Sequence, residues 1–148
     1  MNSQTKKSGF TIIEVVLVLA IAGLIFLIVF LAVPALQRSQ RDQARRSDMG
    51  RVIAAVQDYR GNHQGQLPVF TGTTFRDKIA VDSSFEDPSG GNYSFIAGAP
   101  DNIATGALQY QVGSKCDGAT GAFVTNAGTR KVAFRMQLES GDIYCQSN

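Results

Sequence analysis

A thiol and an imidazole are the side chains of this chain that could support nucleophilic catalysis. Cys116 is one of only two cysteines, and His63 is the single histidine. A cysteine nucleophile needs a base within hydrogen-bond reach, but His63 lies in the helix-breaking segment 62–65, which is typical of a solvated loop. The sequence contains no CxxC motif and no cluster of metal-ligand type. We therefore expect a protein that is not an enzyme, with no catalytic residue, no metal and no cofactor.

Four acidic residues of the second half carry the oxygen ligands that Ca²⁺ prefers. They are Asp82, Glu86, Asp87 and Asp101. Their spacing does not follow that of a calcium-binding loop. Calcium binding therefore stays a secondary alternative for this region.

The two cysteines, Cys116 and Cys145, both lie near the end of the sequence. An even pair in a domain outside the cytoplasm favours a disulfide, with two reduced thiols as the alternative. A bridge between them would close a loop of about 30 residues and stabilise the fold by roughly 3 to 4 kcal/mol.

An unbroken apolar run occupies residues 15–33, where every residue is uncharged and most are large and aliphatic. About 20 apolar residues suffice to cross a bilayer core of about 30 Å. A cleaved secretory signal is the alternative, because Lys6 and Lys7 supply a basic start, but its apolar region would be about 7 to 15 residues long. The length of the run favours a transmembrane helix.

Glu14 is the only charged residue between residues 10 and 36. An ionised carboxylate in a bilayer costs on the order of 2.5 to 3.5 kcal/mol, so such a residue is a functional candidate that needs a partner. The alternative is that Glu14, near the polar end of the run, reaches the membrane interface.

The residues around Glu14 form a recognisable motif. The stretch Lys-Lys-Ser-Gly-Phe-Thr-Ile-Ile-Glu, residues 6–14, resembles the class III leader and cleavage site of type IV pilins and pseudopilins. In that family a short basic leader ends in Gly, a Phe usually follows, and a Glu stands four residues further on. All three features are present in front of the apolar run, and together they are specific.

The resemblance implies a processing and assembly pathway. A prepilin peptidase would cut between Gly9 and Phe10 on the cytoplasmic side and methylate the new amine of Phe10. Glu14 would offset that amine, in its own or a neighbouring subunit, during filament assembly. Pro34 is the expected helix kink, although the family's proline tends to fall about one turn earlier, so both a bend and local melting of residues 30–34 stay open.

The same resemblance predicts an α+β, pilin-like fold, in which a long N-terminal helix packs on a small antiparallel β-sheet. We expect a leader at residues 1–9, a transmembrane or filament-core helix at 10–36, its amphipathic continuation at 37–62 and a globular head at 63–148. An apolar stripe at helical spacing marks the continuation: Met49, Val52, Ile53, Val56 and Tyr59. Gly61 and Gly65 should end the helix.

The head should begin with a connecting loop that holds a short helix near residues 75–81. Strands are predicted at residues 93–96, 108–112 and 131–138, the last half-buried because apolar and polar residues alternate. A turn at residues 140–142 then leads into a strand at 143–145.

Five arginines follow the apolar run: Arg38, Arg41, Arg45, Arg46 and Arg51. On a helix such a run is usually a solvated face with local partners, here Asp42 and Asp48. Counted as positive-inside residues, the arginines outnumber the two leader lysines and would place this side in the cytoplasm. We give precedence to the leader motif, because recognition by a specific peptidase fixes the side on which the leader lies.

These observations predict a structural filament subunit used for adhesion, motility or DNA uptake. Its partners would be further copies of itself, the prepilin peptidase and methyltransferase, the membrane platform and the assembly ATPase. The precursor would sit in the inner membrane with its head outside the cytoplasm. A formal net charge of +2, spread over both signs, predicts no specific nucleic-acid partner. The alternatives are a type II secretion-like pseudopilin and a singly anchored surface binding protein that does not polymerise.

Overall fold

The computed structural model describes residues 9–70, 75, 85–98, 100 and 102–148. One helix and six strands occur there: α1 (Ile12–Asn62), β1 (Ser94–Ala97), β2 (Ala107–Val112), β3 (Lys115–Cys116), β4 (Phe123–Val124), β5 (Val132–Gln137) and β6 (Ile143–Ser147). The chain forms two compact units, Met1–Gln37 and Arg38–Asn148. Apart from Phe75, the helix predicted near residues 75–81 lies outside the described residues.

Helix α1 begins with Thr11 as its N-terminal cap. The backbone N–H of Glu14 donates to the Thr11 side-chain oxygen at 3.4 Å, a partner for one of the N–H groups that a helix start leaves open. The helix is continuous through residues 30–34, so local melting at Pro34 is not observed. A bend at Pro34 stays a prediction.

The end of α1 differs slightly from the prediction. Gly61 lies inside the helix, which ends at Asn62. The N–H of Gly65 donates to the Arg60 carbonyl at 2.9 Å, and Gln64 has a positive φ of 53°. This is the pattern of a Schellman motif, in which a residue in left-handed conformation turns the chain away from the axis. Gly65 therefore contributes to the helix end, whereas Gly61 does not.

The α+β, pilin-like architecture is confirmed, with one difference in the sheet. The four main strands stand in the order β1-β2-β5-β6. The pairs β2–β5 and β5–β6 are antiparallel, as expected, but β1 pairs with β2 in parallel. Gly98 after β1 and Gly106 before β2 both have positive φ, the left-handed region that glycine adopts readily. Alternation along a strand predicts its faces but not its direction.

Strand β5 is buried on both faces, so the prediction of a half-buried strand is wrong. Val132, Phe134 and Met136 face the core with the stripe of α1. The opposite face is covered too, because Phe123 of the β3–β4 hairpin packs against the Arg135 guanidinium. The central carbon of the guanidinium lies 4.8 Å from the centre of the Phe123 ring. A second, two-stranded sheet was not visible in the pattern of β5 itself.

The core of the head joins α1 to the sheet through side chains buried from water. Met49, Val52, Ile53 and Val56 are buried, as the stripe predicted. Tyr59 is only partly buried and stacks on His63, with ring centres 3.8 Å apart. Burial of each large apolar side chain contributes about 1.5 to 3 kcal/mol. The stripe is thus the main hydrophobic attachment of the sheet to the helix.

Candidate functional site

The proposed cleavage site lies directly before α1. A side chain added to Gly9 would meet no other atom within 4 Å, and the Phe10 side chain is 84% exposed. Glu14 stands in the first turn of the helix, where a negative charge interacts favourably with the helix dipole. Within the described part of the chain, no cation lies within ion-pair distance of its carboxylate.

The first half of α1 presents an apolar surface on all sides. Among the described residues, α1 is the helix that is long enough and apolar enough to span a membrane. Its most apolar stretch is not buried at all. Phe26, Phe30 and Leu31 illustrate the exposed side chains. An apolar surface of this extent is stable only against lipid or against other protein.

Comparison with known proteins assigns this segment. Residues 4–30 match the family described as the prokaryotic N-terminal methylation motif. The chain carries the class III leader of type IV pilins and pseudopilins. Neither the search of curated proteins nor the search of solved structures found a match. The leader implies processing by a prepilin peptidase, and leader and apolar helix together fit a membrane-anchored precursor.

The head of this leader-bearing chain contains the predicted disulfide. Cys116 in β3 and Cys145 in β6 are joined, with their Cα atoms 5.8 Å apart. The bond links the two-stranded sheet to the edge of the four-stranded sheet. Cys116 is therefore not a free thiol. It cannot act as the nucleophile of a catalytic pair with His63.

A buried cation connects the helix to the head. Arg45 has no exposed side-chain surface. Its guanidinium donates to both carboxylate oxygens of Asp87 at 2.8 and 2.9 Å, and to the Ser89 hydroxyl at 2.6 Å. The prediction of a solvated arginine face is therefore wrong for Arg45, which points into the protein.

Two further acids complete what we call the Arg45 cluster: Arg41, Asp42, Arg45, Asp87, Ser89 and Glu139. Arg45 donates to Asp42 at 3.2 Å and to Glu139 at 3.0 Å. Arg41 forms a two-pronged pair with Glu139 at 2.7 and 2.6 Å. Asp42 in turn accepts the backbone N–H groups of Glu139 and Ser140 at 2.8 and 3.1 Å. One helix turn thus holds two separate loops of the head.

The cluster shifts the pKa values of Glu139, Asp87 and Arg45 in the direction that keeps these groups charged. Hydrogen bonds from Arg41, and then from Arg45 and Ser89, outweigh burial and lower the pKa of Glu139 to about 2. Burial alone would raise the pKa of Asp87, but hydrogen bonds from Arg45 and Ser89 lower it below its ordinary value. The hydrogen bond to Asp87 is the largest of the effects that raise the pKa of Arg45.

Other arginines behave as the sequence predicted. Arg51 pairs with Asp48 at 3.4 Å, three residues away on the same helix, just as Arg45 pairs with Asp42. Asp48 also accepts the Tyr93 hydroxyl at 2.9 Å. Burial, together with the negative charge of Asp48, raises the pKa of Tyr93. These contacts add a second polar link between α1 and the sheet.

The four acidic residues considered as calcium ligands do not form a site in the described part of the chain. Asp87 is committed to Arg45, and Glu86 is exposed, while Asp82 and Asp101 lie outside the described residues. Across the described ranges, no group of three or more metal-ligating side chains comes together. The described residues therefore offer no support for the calcium alternative.

Sequence reasoning missed the Arg45 cluster. The spacing of Asp42 and Arg45 signalled only their local pair. Asp87 and Glu139 are far away in sequence and lie in loops, where a carboxylate is the ordinary solvated residue. An arginine placed on the same helix face as the apolar stripe was the one available signal.

Proposed function

We propose that this protein is a structural subunit of a type IV pilus. A prepilin peptidase cleaves it between Gly9 and Phe10, the Phe10 amine is methylated, and the mature chains polymerise into a surface filament. The precursor is held in the inner membrane by residues 10–36, with the head outside the cytoplasm. The platform and ATPase of the assembly machinery would drive polymerisation.

The methylation motif carries the proposal, and the shape of the helix surface supports it. A leader that matches at residues 4–30 runs straight into a helix whose side chains are exposed all round. A helix of this kind fits first a bilayer and then a bundle of identical helices. In such a bundle Glu14 needs a counter-charge, because an unpaired buried charge is strongly destabilising. The nearest new cation that processing creates is the Phe10 amine.

A disulfide favours a pilin over the pseudopilin alternative. The Cys116–Cys145 bridge closes the C-terminal region of the head covalently. A secretion pseudopilin stabilised by calcium would instead need a cluster of oxygen ligands in the head. Adhesion, motility and DNA uptake are the roles that such a filament would serve.

Intact mass and N-terminal sequencing of sheared surface material test the proposal. We expect a chain that begins at methylated Phe10 and has its two cysteines joined. A chain that keeps the leader and occurs only in the membrane fraction would instead identify an anchored protein that does not polymerise.

Substitution of the residue before the cut tests the cleavage site separately. Gly9→Val adds a branched side chain where the peptidase must approach the backbone closely, so precursor should accumulate. Ser8→Ala is the matched control, because it changes a neighbouring side chain without adding bulk. Normal trimming of Gly9→Val would show that the cut lies elsewhere.

A further inference from the structure

The apolar run of α1 ends in a short segment, Val33-Pro34-Ala35, that resembles a peptidase cleavage site. Signal peptidases act on the outer face of the membrane. They cut after a small residue that has a second small or aliphatic residue two positions before it, the A-x-A-like pattern. Ala35 and Val33 stand in these two positions, so the bond to be cut joins Ala35 to Leu36.

The position of this segment along the helix matches the outer edge of a bilayer. As a helix, residues 15–33 measure roughly 28 Å at a rise of about 1.5 Å per residue, close to the roughly 30 Å of the hydrocarbon core. With the head outside the cytoplasm, as proposed above, Pro34 and Ala35 come directly after the core on its outer side. A membrane-anchored peptidase whose active site faces that side can reach them.

The residues at this point favour an extended backbone over a helical one. Pro34 lies inside α1 but has no N–H, so the Phe30 carbonyl lacks its helical donor. The residue before a proline avoids helical dihedral angles, and Val33 is β-branched as well. Since a peptidase binds its substrate in extended form, this stretch of α1 needs less energy to open than a helical stretch without a proline.

Cleavage at this point leaves the head complete. Residues 34–40 are exposed, and among the described residues the hydrogen bonds from α1 to the head begin with Arg41 and Asp42. The compact unit that contains the core starts at Arg38. A chain that begins at Leu36 therefore keeps the Arg45 cluster, the apolar stripe and the disulfide. It loses the exposed apolar surface that requires a membrane or a filament.

We propose that a membrane-anchored serine peptidase of the signal-peptidase type hydrolyses the Ala35–Leu36 bond in a fraction of the chains and releases the head as a water-soluble protein. Water adds across the peptide bond, which leaves a carboxylate on Ala35 and an amine on Leu36. Because the apolar run is longer than the about 7 to 15 residues of a cleaved signal, anchored chains should outnumber released heads. The inference rests on the proposed topology, but not on cleavage at Gly9 or on polymerisation.

Fractionation of cells that make the full chain tests this second cut. Membranes and the soluble material outside the cytoplasm are separated, and the forms that contain the head are identified by intact mass and N-terminal sequencing. We expect a soluble form that begins at Leu36, with an unmethylated amine and with Cys116 joined to Cys145.

Substitutions at residue 35 separate this cut from nonspecific proteolysis. Ala35→Phe places a large side chain where the peptidase accepts a small one, so the soluble form should decrease at least about tenfold. Ala35→Ser stays small and should keep it. Ala32→Phe is the matched control, because it adds the same bulk outside the two specified positions. Ala32 and Ala35 are both exposed, so neither change disturbs the head. The full chain in the membrane fraction gives the reference amount for each variant.

Two results for the soluble form would overturn the proposal. It begins at a residue other than Leu36, or it is as abundant in Ala35→Phe as in Ala32→Phe. Gly9→Val should release the soluble form all the same; its loss there would also overturn the proposal, because the cut would then belong to filament processing.

The state of the cysteines separates failure of this inference from failure of the proposed topology. If no soluble form appears although the full chain has its cysteines joined, the head lies outside the cytoplasm and the second cut alone is wrong. If no soluble form appears and both thiols are free, the proposed topology is wrong, and the second cut with it.

Discussion

Replacing the Arg45 guanidinium by an uncharged group is the most direct test of how the head is held on the helix. Arg45→Met keeps much of the side-chain length and its apolar stem but deletes the guanidinium. Asp87, only 6% exposed, and the buried Asp42 then lose their cation. Removing one partner of a buried ion pair costs about 3 to 5 kcal/mol, because a charge is left without compensation. We expect a loss of this size in the free energy of unfolding of the head.

Urea unfolding of the mature chain in detergent measures this loss. The chain has no tryptophan, so near-ultraviolet circular dichroism of the buried tyrosines, Tyr93 and Tyr110, reports on the head. A loss of 3 kcal/mol lowers the urea midpoint by at least about 1 M. Arg46→Met is the control, since Arg46 is exposed and lies 5.3 Å from the Tyr144 ring centre. Its loss should cost no more than about 1 kcal/mol.

A double variant decides whether the cause is the unpaired charge. In Arg45→Met with Asp87→Asn, one of the stranded carboxylates is neutral, so part of the lost stability should return. If Arg45→Met unfolds within about 1 kcal/mol of the wild type, the cluster does not hold the head and the reasoning is wrong. If the double variant is less stable than the single one, compensation of charge is not the mechanism.

Three further predictions concern pH, the disulfide and the membrane helix. Because the pKa of Glu139 is lowered to about 2 in the folded head, its contribution is complete above the unfolded value of about 4.3 and is lost as pH falls toward 2; acid titrations should show a smaller loss of stability in Glu139→Gln, and identical curves would contradict the assignment. Replacing Cys116 and Cys145 together by serine should lower the stability of the head by about 3 to 4 kcal/mol, measured by urea unfolding, whereas an unchanged midpoint would mean that the closed loop contributes nothing. Glu14→Ala should leave insertion and cleavage intact but reduce the yield of sheared filaments, with Gln37→Ala beyond the apolar run as the control; a normal yield would exclude the proposed charge pairing.

The sequence predicted the elements of this fold better than their mutual arrangement. Periodicity is a local property, so it located α1, its buried stripe and the four main strands to within a few residues. The parallel pairing of β1 with β2 depends on the connection between the two strands, and the burial of β5 depends on the distant hairpin that carries Phe123. Neither is encoded in the alternation of apolar residues along a strand.

The candidate site divides in the same way. Gly9, Phe10 and Glu14 belong to one short motif whose spacing can be read locally, and the family model matches that motif at residues 4–30. The roles of the three residues stay predictions. The disulfide could be predicted because the chain has two cysteines in a domain that is expected to lie outside the cytoplasm. Arg45 was misassigned, because its partners Asp87 and Glu139 come from loops far along the chain, and long-range pairing of charged groups leaves no periodic signature.

The hairpin formed by β3 and β4 has a consequence for engineering. Residues 118–120 at its tip are exposed, and the ends of the loop are fixed by strand pairing and by the Cys116–Cys145 bridge. Since each doubling of a flexible loop costs only about 0.6 kcal/mol in closure entropy, a foreign peptide inserted at this tip should leave the remainder of the head intact. The tip is therefore a natural point at which to display an epitope or attach a label.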